Sequence, residues 1–121
     1  MKALVVDDSA VMRKVLIGAL ARAGITEVDQ AEDGEVAVTA ASANEYGIVL
    51  MDWNMPKLSG LEAVKQIRAL GKKVPIIMVT TESEKSRVVE ALKAGANNYI
   101  LKPFEPAAIE EKIKSALAPP A

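Results

Sequence analysis

The chain of 121 residues contains no cysteine and no histidine. Without cysteine it can form no disulfide, no thiolate nucleophile and no thiolate metal site. Without histidine it has no imidazole base, which excludes Ser-His and Cys-His catalysis and most transition-metal sites. Carboxylate chemistry remains, because the chain carries 16 Asp plus Glu against 15 Lys plus Arg.

Aromatic residues and long apolar runs are also scarce. Aromatic side chains make up 3% of a chain that is 50% hydrophobic, so the core has to be aliphatic. No apolar run approaches the ~18 residues of a membrane-spanning helix, and the N-terminal apolar run is too short for a signal peptide. We therefore expect a cytoplasmic protein without membrane insertion. Basic residues are dispersed and stacking aromatics are few, so we expect no nucleic-acid binding.

Short apolar runs alternate five times with segments of helical period, the pattern of parallel βα units. Strands are predicted over Ala3–Val6, Glu27–Ala31, Ile48–Met51, Pro75–Val79 and Asn98–Leu101. Helices are predicted over about Ser9–Ala23, Gly34–Ala43, Gly60–Leu70, Glu84–Ala94 and Pro106–Leu117. The central strands are apolar throughout, as strands covered on both faces are. We predict one α/β domain over residues 1–121, with a doubly wound five-stranded parallel sheet.

Residues at the helix ends support this division. Ser9 and Asp33 are predicted N-caps, and Ser59 with Glu62 forms a predicted capping box. A glycine follows the first, third and fourth helices, where it can take the left-handed conformation that ends a helix. These glycines are Gly24, Gly71 and Gly95.

Polar side chains gather where the predicted strands end. Asp7 and Asp8 follow the first strand, Asp52 the third, Thr80 and Thr81 the fourth, and Lys102 the fifth. An open parallel sheet binds ligands at this edge, near the point where strand order reverses. If the order is 2-1-3-4-5, the three carboxylates share one pocket and raise one another's pKa unless a cation binds. With oxygen ligands only, Mg²⁺ is the expected ion.

Taken singly, most of these residues have simpler interpretations. An acidic pair before a helix often caps it, Thr80 could be an ordinary β-branched strand end, and Lys102 could be a surface lysine. Asp52 is harder to dismiss, because a carboxylate that ends the run Ile48–Met51 is poorly solvated. The joint occurrence of acid, hydroxyl and ammonium at one sheet edge favours a functional site.

The sequence disfavours two classes of site. Neither GxGxxG nor GxxxxGK[ST] occurs, and the acidic pair stands where a nucleotide phosphate would dock, which disfavours nucleotide and flavin binding. Asp52-Trp53-Asn54 also lacks the Asp-x-Asp of haloacid-dehalogenase-type phosphatases. A flavodoxin-like protein or a small phosphatase stays the alternative from another class.

Several segments, in their order and spacing, resemble the receiver domain of two-component response regulators over essentially the whole chain. These are Val5-Val6-Asp7-Asp8, Met51-Asp52-Trp53-Asn54-Met55-Pro56, Gly60-Leu61-Glu62, Met78-Val79-Thr80 and Tyr99-Ile100-Leu101-Lys102-Pro103-Phe104. The strongest resemblance is to the stand-alone chemotaxis members. It implies a flavodoxin-like sheet of order 2-1-3-4-5 and a single receiver domain without an effector domain.

The resemblance implies a chemistry for the pocket. Asp52 would accept a phosphoryl group from a phosphohistidine on a sensor histidine kinase, forming an aspartyl phosphate. Asp8, Asp52 and the backbone carbonyl of Asn54 would bind Mg²⁺, and Asp7 would act largely through coordinated water. The protein would be a switch with Mg²⁺-dependent self-phosphorylation and self-dephosphorylation rather than an enzyme.

Further roles follow from the same resemblance. Lys102 and Thr80 would contact the phosphoryl oxygens, and the Lys102-Pro103 bond would be cis. Asn54 and Glu82 would tune the lifetime of the phosphoryl group, which we predict to be short.

The resemblance also predicts an output face. Thr80, drawn to the phosphoryl group, would let Tyr99 turn inward, although Tyr99 read alone is a half-buried sheet aromatic. Lys85, Val88, Tyr99 and Lys112 match the chemotaxis output face, whose basic rim suits an acidic partner such as the flagellar motor switch. We expect a monomer. The resemblance is also compatible with a phosphatase as a further partner. The alternatives are a phosphorelay carrier or a single-domain regulator not linked to motility.

Overall fold

The computed structural model describes residues 1–81 and 85–117, apart from the side chain of Lys85. The strands are β1 Lys2–Val6, β2 Glu27–Ala31, β3 Ile48–Met51, β4 Ile76–Thr80 and β5 Asn98–Leu101. The helices are α1 Ala10–Arg22, α2 Gly34–Ala43, α3 Gly60–Ala69, α4 Lys85–Ala94 and α5 Pro106–Leu117. The alternation is the one that the apolar pattern predicts.

The sheet is parallel, with strand order β2-β1-β3-β4-β5. The prediction of a doubly wound sheet of order 2-1-3-4-5 is confirmed. After β1 the chain adds β2 on one side and then crosses back to add β3 on the other. The loops that follow β1 and β3 therefore lie side by side and open a crevice between them.

Two aliphatic cores cover the two faces of the sheet. Helices α1 and α5 pack on one face through side chains such as Leu16, Leu20, Ile109 and Ile113. Helices α2, α3 and α4 pack on the other face, where α3 contributes most of the large side chains. Strands β3 and β4 are buried along their whole length because both faces are covered. Each fully buried aliphatic side chain stabilises the fold by about 1.5–3 kcal/mol relative to an exposed one.

The predicted helix ends are found. Ser9, Asp33 and Ser59 each accept, through the side chain, a hydrogen bond from the amide three residues ahead. The glycines that follow α1, α3 and α4 all have positive φ, as a left-handed helix end requires. The caps therefore define where three of the five helices begin.

Small differences from the predicted boundaries have local causes. Ser9 and Ala23 are the caps of α1 rather than its first and last residues. Strand β4 runs one residue later than predicted, because Thr80 pairs with Leu101 of β5, while Pro75 has no amide hydrogen for the ladder. Thr80 is thus held within the sheet. Glu84, the predicted start of α4, lies outside the described residues.

Among the helices of the described part of the chain, none is long and apolar enough to cross a membrane.

Candidate functional site

The carboxyl ends of β1 and β3 bring three carboxylates together. Oxygen atoms of Asp7, Asp8 and Asp52 lie within 4.8 Å of one another. Asp7 and Asp52 are buried and Asp8 is exposed. The three carboxylates share one pocket, as the strand order predicted, and the pocket has a closed inner side and opens toward solvent at Asp8.

Asp7 is held by contacts from three directions. Its amide donates to the Ala31 carbonyl of the neighbouring strand at 3.1 Å. Its Oδ1 accepts from the Ser9 amide at 2.9 Å, and its Oδ2 accepts from Lys102 Nζ at 2.7 Å. The Ser9 hydroxyl, and not the acidic pair, caps α1. Capping therefore does not explain the pair.

Asp52 is fixed by the backbone on both sides. Its amide donates to the Val6 carbonyl at 2.9 Å, which ties the end of β3 to β1. Its Oδ1 accepts from the Trp53 amide at 2.8 Å, and its Oδ2 lies 3.5 Å from Lys102 Nζ. The Thr80 hydroxyl also donates to this carboxylate. The side chain is thus oriented before any ligand binds.

Lys102 bridges the pocket from the fifth strand. Its amide donates to the Thr80 carbonyl at 2.9 Å, extending the β4–β5 ladder beyond the end of β5. Its ammonium contacts both Asp7 and Asp52, and only 14% of the side chain is exposed. The Lys102-Pro103 bond is cis, as the resemblance implied. Lys102 is therefore a pocket lysine rather than a surface lysine.

The pKa of Asp52 is raised, and the largest cause is burial of the carboxyl. The Lys102 ammonium opposes this by lowering the pKa, and the Asp7 carboxylate then raises it again. The sequence predicted that neighbouring carboxylates raise the pKa and that Asp52 is poorly solvated, and both effects are found. Poor solvation is the larger, because the Lys102 ammonium already neutralises part of the negative charge.

The donor atoms in the pocket fit a magnesium ion. All three are carboxylates, which Mg²⁺ prefers, and one of them is open to water. Mg²⁺ keeps several waters and takes few protein ligands, so a half-open set of acids suits it. Asn54, whose carbonyl was predicted to complete the set, lies two residues after Asp52 in the loop between β3 and α3 and is exposed.

Two arginines near the pocket were not anticipated. The Arg13 guanidinium donates to the Asp7 backbone carbonyl at 2.6 Å and to the Gln30 side chain at 2.9 Å. The Arg87 guanidinium lies 5.5 Å from the centre of the Trp53 ring, a cation–π contact between α4 and the residue after Asp52. Neither has a local sequence signal, because each partner is fixed only by tertiary packing.

The predicted output residues lie on β5, α4 and α5. Tyr99 is half-buried and pairs with Met78 in the sheet register. Met78 and Thr80 are alternate residues of β4 and therefore share a face of the sheet. Tyr99, as the register partner of Met78, points to the same side as Thr80. Val88 is half-buried on α4, and Lys112 Nζ donates to Asn98 Oδ1 at 3.1 Å.

Two of the predicted residues cannot be placed in the same way. Lys85 begins α4, but its side chain is outside the described part of the chain. Glu82 lies outside the described residues.

The raised pKa of Asp52 leads to a stability prediction. Because this pKa is higher in the folded than in the unfolded chain, the free energy of unfolding falls as pH rises between the two values. Above that window Asp52 is ionised, and the free energy of unfolding is lowered by the full cost of burying its charge. The Lys102 ammonium offsets only part of this cost, and the carboxylates of Asp7 and Asp8 lie nearby. We expect Asp52→Asn to raise the free energy of unfolding at neutral pH, without Mg²⁺, by about 1 kcal/mol. Urea unfolding between pH 4 and pH 8 measures this.

Glu45→Gln is the control for that experiment, because the Glu45 carboxylate is 86% exposed. Its effect should stay within about 0.5 kcal/mol. A variant Asp52→Asn that is less stable than the wild type at pH 7.5 would contradict the prediction.

The family model of the response regulator receiver domain matches residues 3–114. Chemotaxis protein CheY1 of Helicobacter pylori is 48% identical over 120 residues, covering 97% of each chain. A chemotaxis protein CheY homolog of Campylobacter jejuni is 49% identical over 120 residues, 97% of this chain and 92% of that one. The solved structure of chemotaxis protein CheY4 of Vibrio cholerae has a TM-score of 0.86 at 35% identity, over 96% of this chain and 98% of that one.

The family model and these relatives align with nearly the whole chain, and the strand order and the acidic pocket agree with them. The chain therefore belongs to the receiver domains of response regulators, the phosphorylation-controlled switches of two-component signalling.

Proposed function

We propose that Asp52 is the phosphoacceptor of this switch. The observation that carries the proposal is the arrangement around its carboxylate, which is buried, oriented by the Trp53 amide and faced by the Lys102 ammonium. A carboxylate oxygen held in one direction beside a cation is prepared for attack on a phosphorus atom.

The reaction is an in-line transfer of a phosphoryl group. One bond forms between an Asp52 carboxylate oxygen and phosphorus, and the bond between phosphorus and the donor imidazole nitrogen breaks. The bonding pair stays on that nitrogen, which returns as neutral imidazole after taking up a proton. Because the chain has no histidine, the donor is another protein, a sensor histidine kinase, or a small phosphodonor.

Three groups offset the charge that spreads over the phosphoryl oxygens. The Lys102 ammonium already lies 3.5 Å from Asp52 Oδ2 and is placed to follow the charge onto a phosphoryl oxygen. The Thr80 hydroxyl, which donates to Asp52, can donate to another oxygen. Asp8, Asp52 and the Asn54 carbonyl would hold Mg²⁺, and Asp7 would act through coordinated water. When bound, the ion neutralises charge on the acids and on the phosphoryl group.

The signal leaves through the face formed by α4, β5 and α5. Thr80 and Tyr99 share one side of the sheet, so movement of the hydroxyl toward a phosphoryl group opens space on the side where Tyr99 lies. A groove of about 330 Å³ beside β5 and α5 is lined by Asn98, Ala108, Glu111, Lys112 and Ser115. Lys112 gives this groove a cation for an acidic partner.

The relatives that are named as chemotaxis proteins support a role in chemotaxis. The downstream partner in this proposal is a component of the flagellar motor switch that presents an acidic segment. The lifetime of the phosphoryl group ends when water attacks phosphorus, a step whose rate Asn54 and Glu82 are proposed to tune, and we expect this lifetime to be short.

The test is incubation with acetyl phosphate and Mg²⁺, followed by intact mass measurement. We expect one phosphoryl group on the wild type and none on Asp52→Asn, because the amide is not a nucleophile. Omission of Mg²⁺ should prevent the gain. Beryllofluoride, which mimics the phosphoryl group, should bind only the wild type.

A phosphoryl gain that persists in Asp52→Asn would place the acceptor elsewhere. Steady hydrolysis of added phosphomonoesters would identify a phosphatase instead. Glu62→Gln, which changes an exposed carboxylate on α3, is the matched control and should gain the phosphoryl group like the wild type.

A further inference from the structure

The loop between β3 and α3, residues 52–59, contains a strained turn. Lys57 has a φ of 67°, in the left-handed region that non-glycine residues adopt rarely. The Leu58 amide donates to the Pro56 carbonyl at 2.7 Å, which makes Lys57 the centre of a three-residue turn. With positive φ at its centre such a turn is rare and persists only where its surroundings hold it.

The start of α2 supplies those surroundings. Lys57 Nζ lies 3.9 Å from Asp33 Oδ2, and the Gly34 amide donates to the Leu58 carbonyl at 3.2 Å. A Cβ on Gly34 would lie 2.3 Å from that carbonyl oxygen, so the two backbones approach as closely as glycine permits. The turn is therefore anchored at its strained residue and at the residue that follows it.

Asp33 is a buried anchor with two separate contacts. It is 2% exposed, and its Oδ1 caps α2 by accepting from the Val36 amide at 2.9 Å. Its other oxygen faces the Lys57 ammonium. The helix fixes the carboxylate, and the carboxylate attracts the long, largely exposed side chain of Lys57.

We propose that Lys57 and Asp33 form a clamp that holds this loop in the conformation that presents the Asn54 carbonyl to Mg²⁺. Lys57 is then a positioning residue, because it lies three residues beyond Asn54 and acts through the backbone. The proposal rests on the Mg²⁺ site of the proposed function.

Positioning and simple charge effects have opposite signs here. Lys57 carries a positive charge in the loop of the proposed Asn54 ligand, so its removal should tighten Mg²⁺ binding if only Coulomb repulsion matters. If the clamp positions the loop, removal of the same charge should weaken Mg²⁺ binding. The sign of the change therefore separates the two roles.

The experiment is a titration of the full chain with Mg²⁺, in which the fluorescence of Trp53 reports binding. Trp53 is the one tryptophan and is adjacent to Asp52. We expect the Mg²⁺ dissociation constant to rise about two- to fivefold in Lys57→Met, the range for one partly exposed ion pair. Lys57→Arg, which keeps the cation, should stay close to the wild type.

Asp33→Asn completes the design, because asparagine still caps a helix while the charge is removed. Asp33→Asn should weaken Mg²⁺ binding as Lys57→Met does. The double variant, which combines the two substitutions, should bind Mg²⁺ no more weakly than either single variant. Lys65→Met breaks a similar lysine–carboxylate pair on α3 and should leave the dissociation constant unchanged.

Equal or tighter Mg²⁺ binding in Lys57→Met would overturn the clamp, as would additive losses in the double variant. Exchange of the Leu58 amide hydrogen gives a readout that does not depend on the metal, and it should be faster in Lys57→Met. If the wild type shows no response to Mg²⁺, the proposed function fails, while the amide exchange still decides whether the clamp exists.

Discussion

Replacement of Lys102 by methionine is expected to slow phosphoryl uptake from acetyl phosphate by about 10²-fold, the usual effect of removing one group that stabilises charge in a transition state. Lys102 is the only side-chain cation that reaches both Asp7 and Asp52 among the contacts of the described residues. Methionine keeps the length and apolar contacts of the stem but cannot follow charge onto a phosphoryl oxygen. Intact mass measured over time in saturating Mg²⁺ gives the rate.

The same variant should lose stability in a way that Mg²⁺ partly restores. Asp7 is 1% exposed, and its Oδ2 accepts from Lys102 at 2.7 Å, so the variant leaves a buried carboxylate without its cation. Without Mg²⁺ we expect a loss of about 2–3 kcal/mol in the free energy of unfolding, the lower range for breaking a buried ion pair. The rise in melting temperature on adding Mg²⁺ should be larger than in the wild type, since the ion no longer competes with an ammonium.

Lys114→Met is the control, because Lys114 pairs with Glu110 at 3.3 Å but is 61% exposed. It should change neither the rate nor, by more than about 0.5 kcal/mol, the stability. A phosphorylation rate of Lys102→Met within twofold of the wild type would remove Lys102 from the chemistry.

Substitution of Gly60 by alanine should have the largest effect on folding. A Cβ at this first residue of α3 would lie 1.8 Å from the backbone carbonyl oxygen of Asp52 and 2.8 Å from its carbonyl carbon. The Gly60 amide also donates to the Trp53 carbonyl at 2.8 Å, so neither backbone can retreat without breaking the contact. We expect a loss of at least about 4 kcal/mol in the free energy of unfolding, measured by urea.

Gly18→Ala provides the matched contrast. Gly18 lies within α1, and the nearest atom to its added Cβ is the end of the Arg22 side chain at 3.6 Å, an ordinary contact. Alanine there should stabilise the protein by about 0.5–1 kcal/mol, because glycine is the poorer helix former. Similar effects of the two substitutions would show that the close approach at Gly60 does not exist in solution.

Much of the fold could be predicted because its signals are local. A run such as Ile48–Met51 is apolar at every position, which indicates a strand covered on both faces. The caps at Asp33 and Ser59 act within three residues, so their hydrogen bonds were predictable from the sequence. The boundary of β4 was one residue off because the pairing of Thr80 with β5 is a tertiary contact.

The site was only partly predictable. The acids, the hydroxyl and the lysine could be placed at one edge, because strand ends in a parallel sheet share an edge. Their contacts could not be derived in this way. The bond between Lys102 and Asp7 joins residues 95 positions apart, and no local pattern specifies which carboxylate the ammonium prefers. The roles of Asn54, Tyr99 and Lys112 stay predictions.

By itself, the sequence determined the kind of chemistry and the layers of the fold. A chain without histidine or cysteine, with acids after two apolar strands, is limited to a site built on carboxylates and has no imidazole to donate a phosphoryl group. Only the tertiary structure decided how the carboxylates of the site are buried and paired and how the neighbouring loop is held. Burial raises the pKa of Asp52, Lys102 divides its charge between two carboxylates, and the start of α2 holds Lys57 in a strained turn. These effects depend on distances and solvent access between residues far apart in the chain, and such distances exist only once the sheet and its loops have packed.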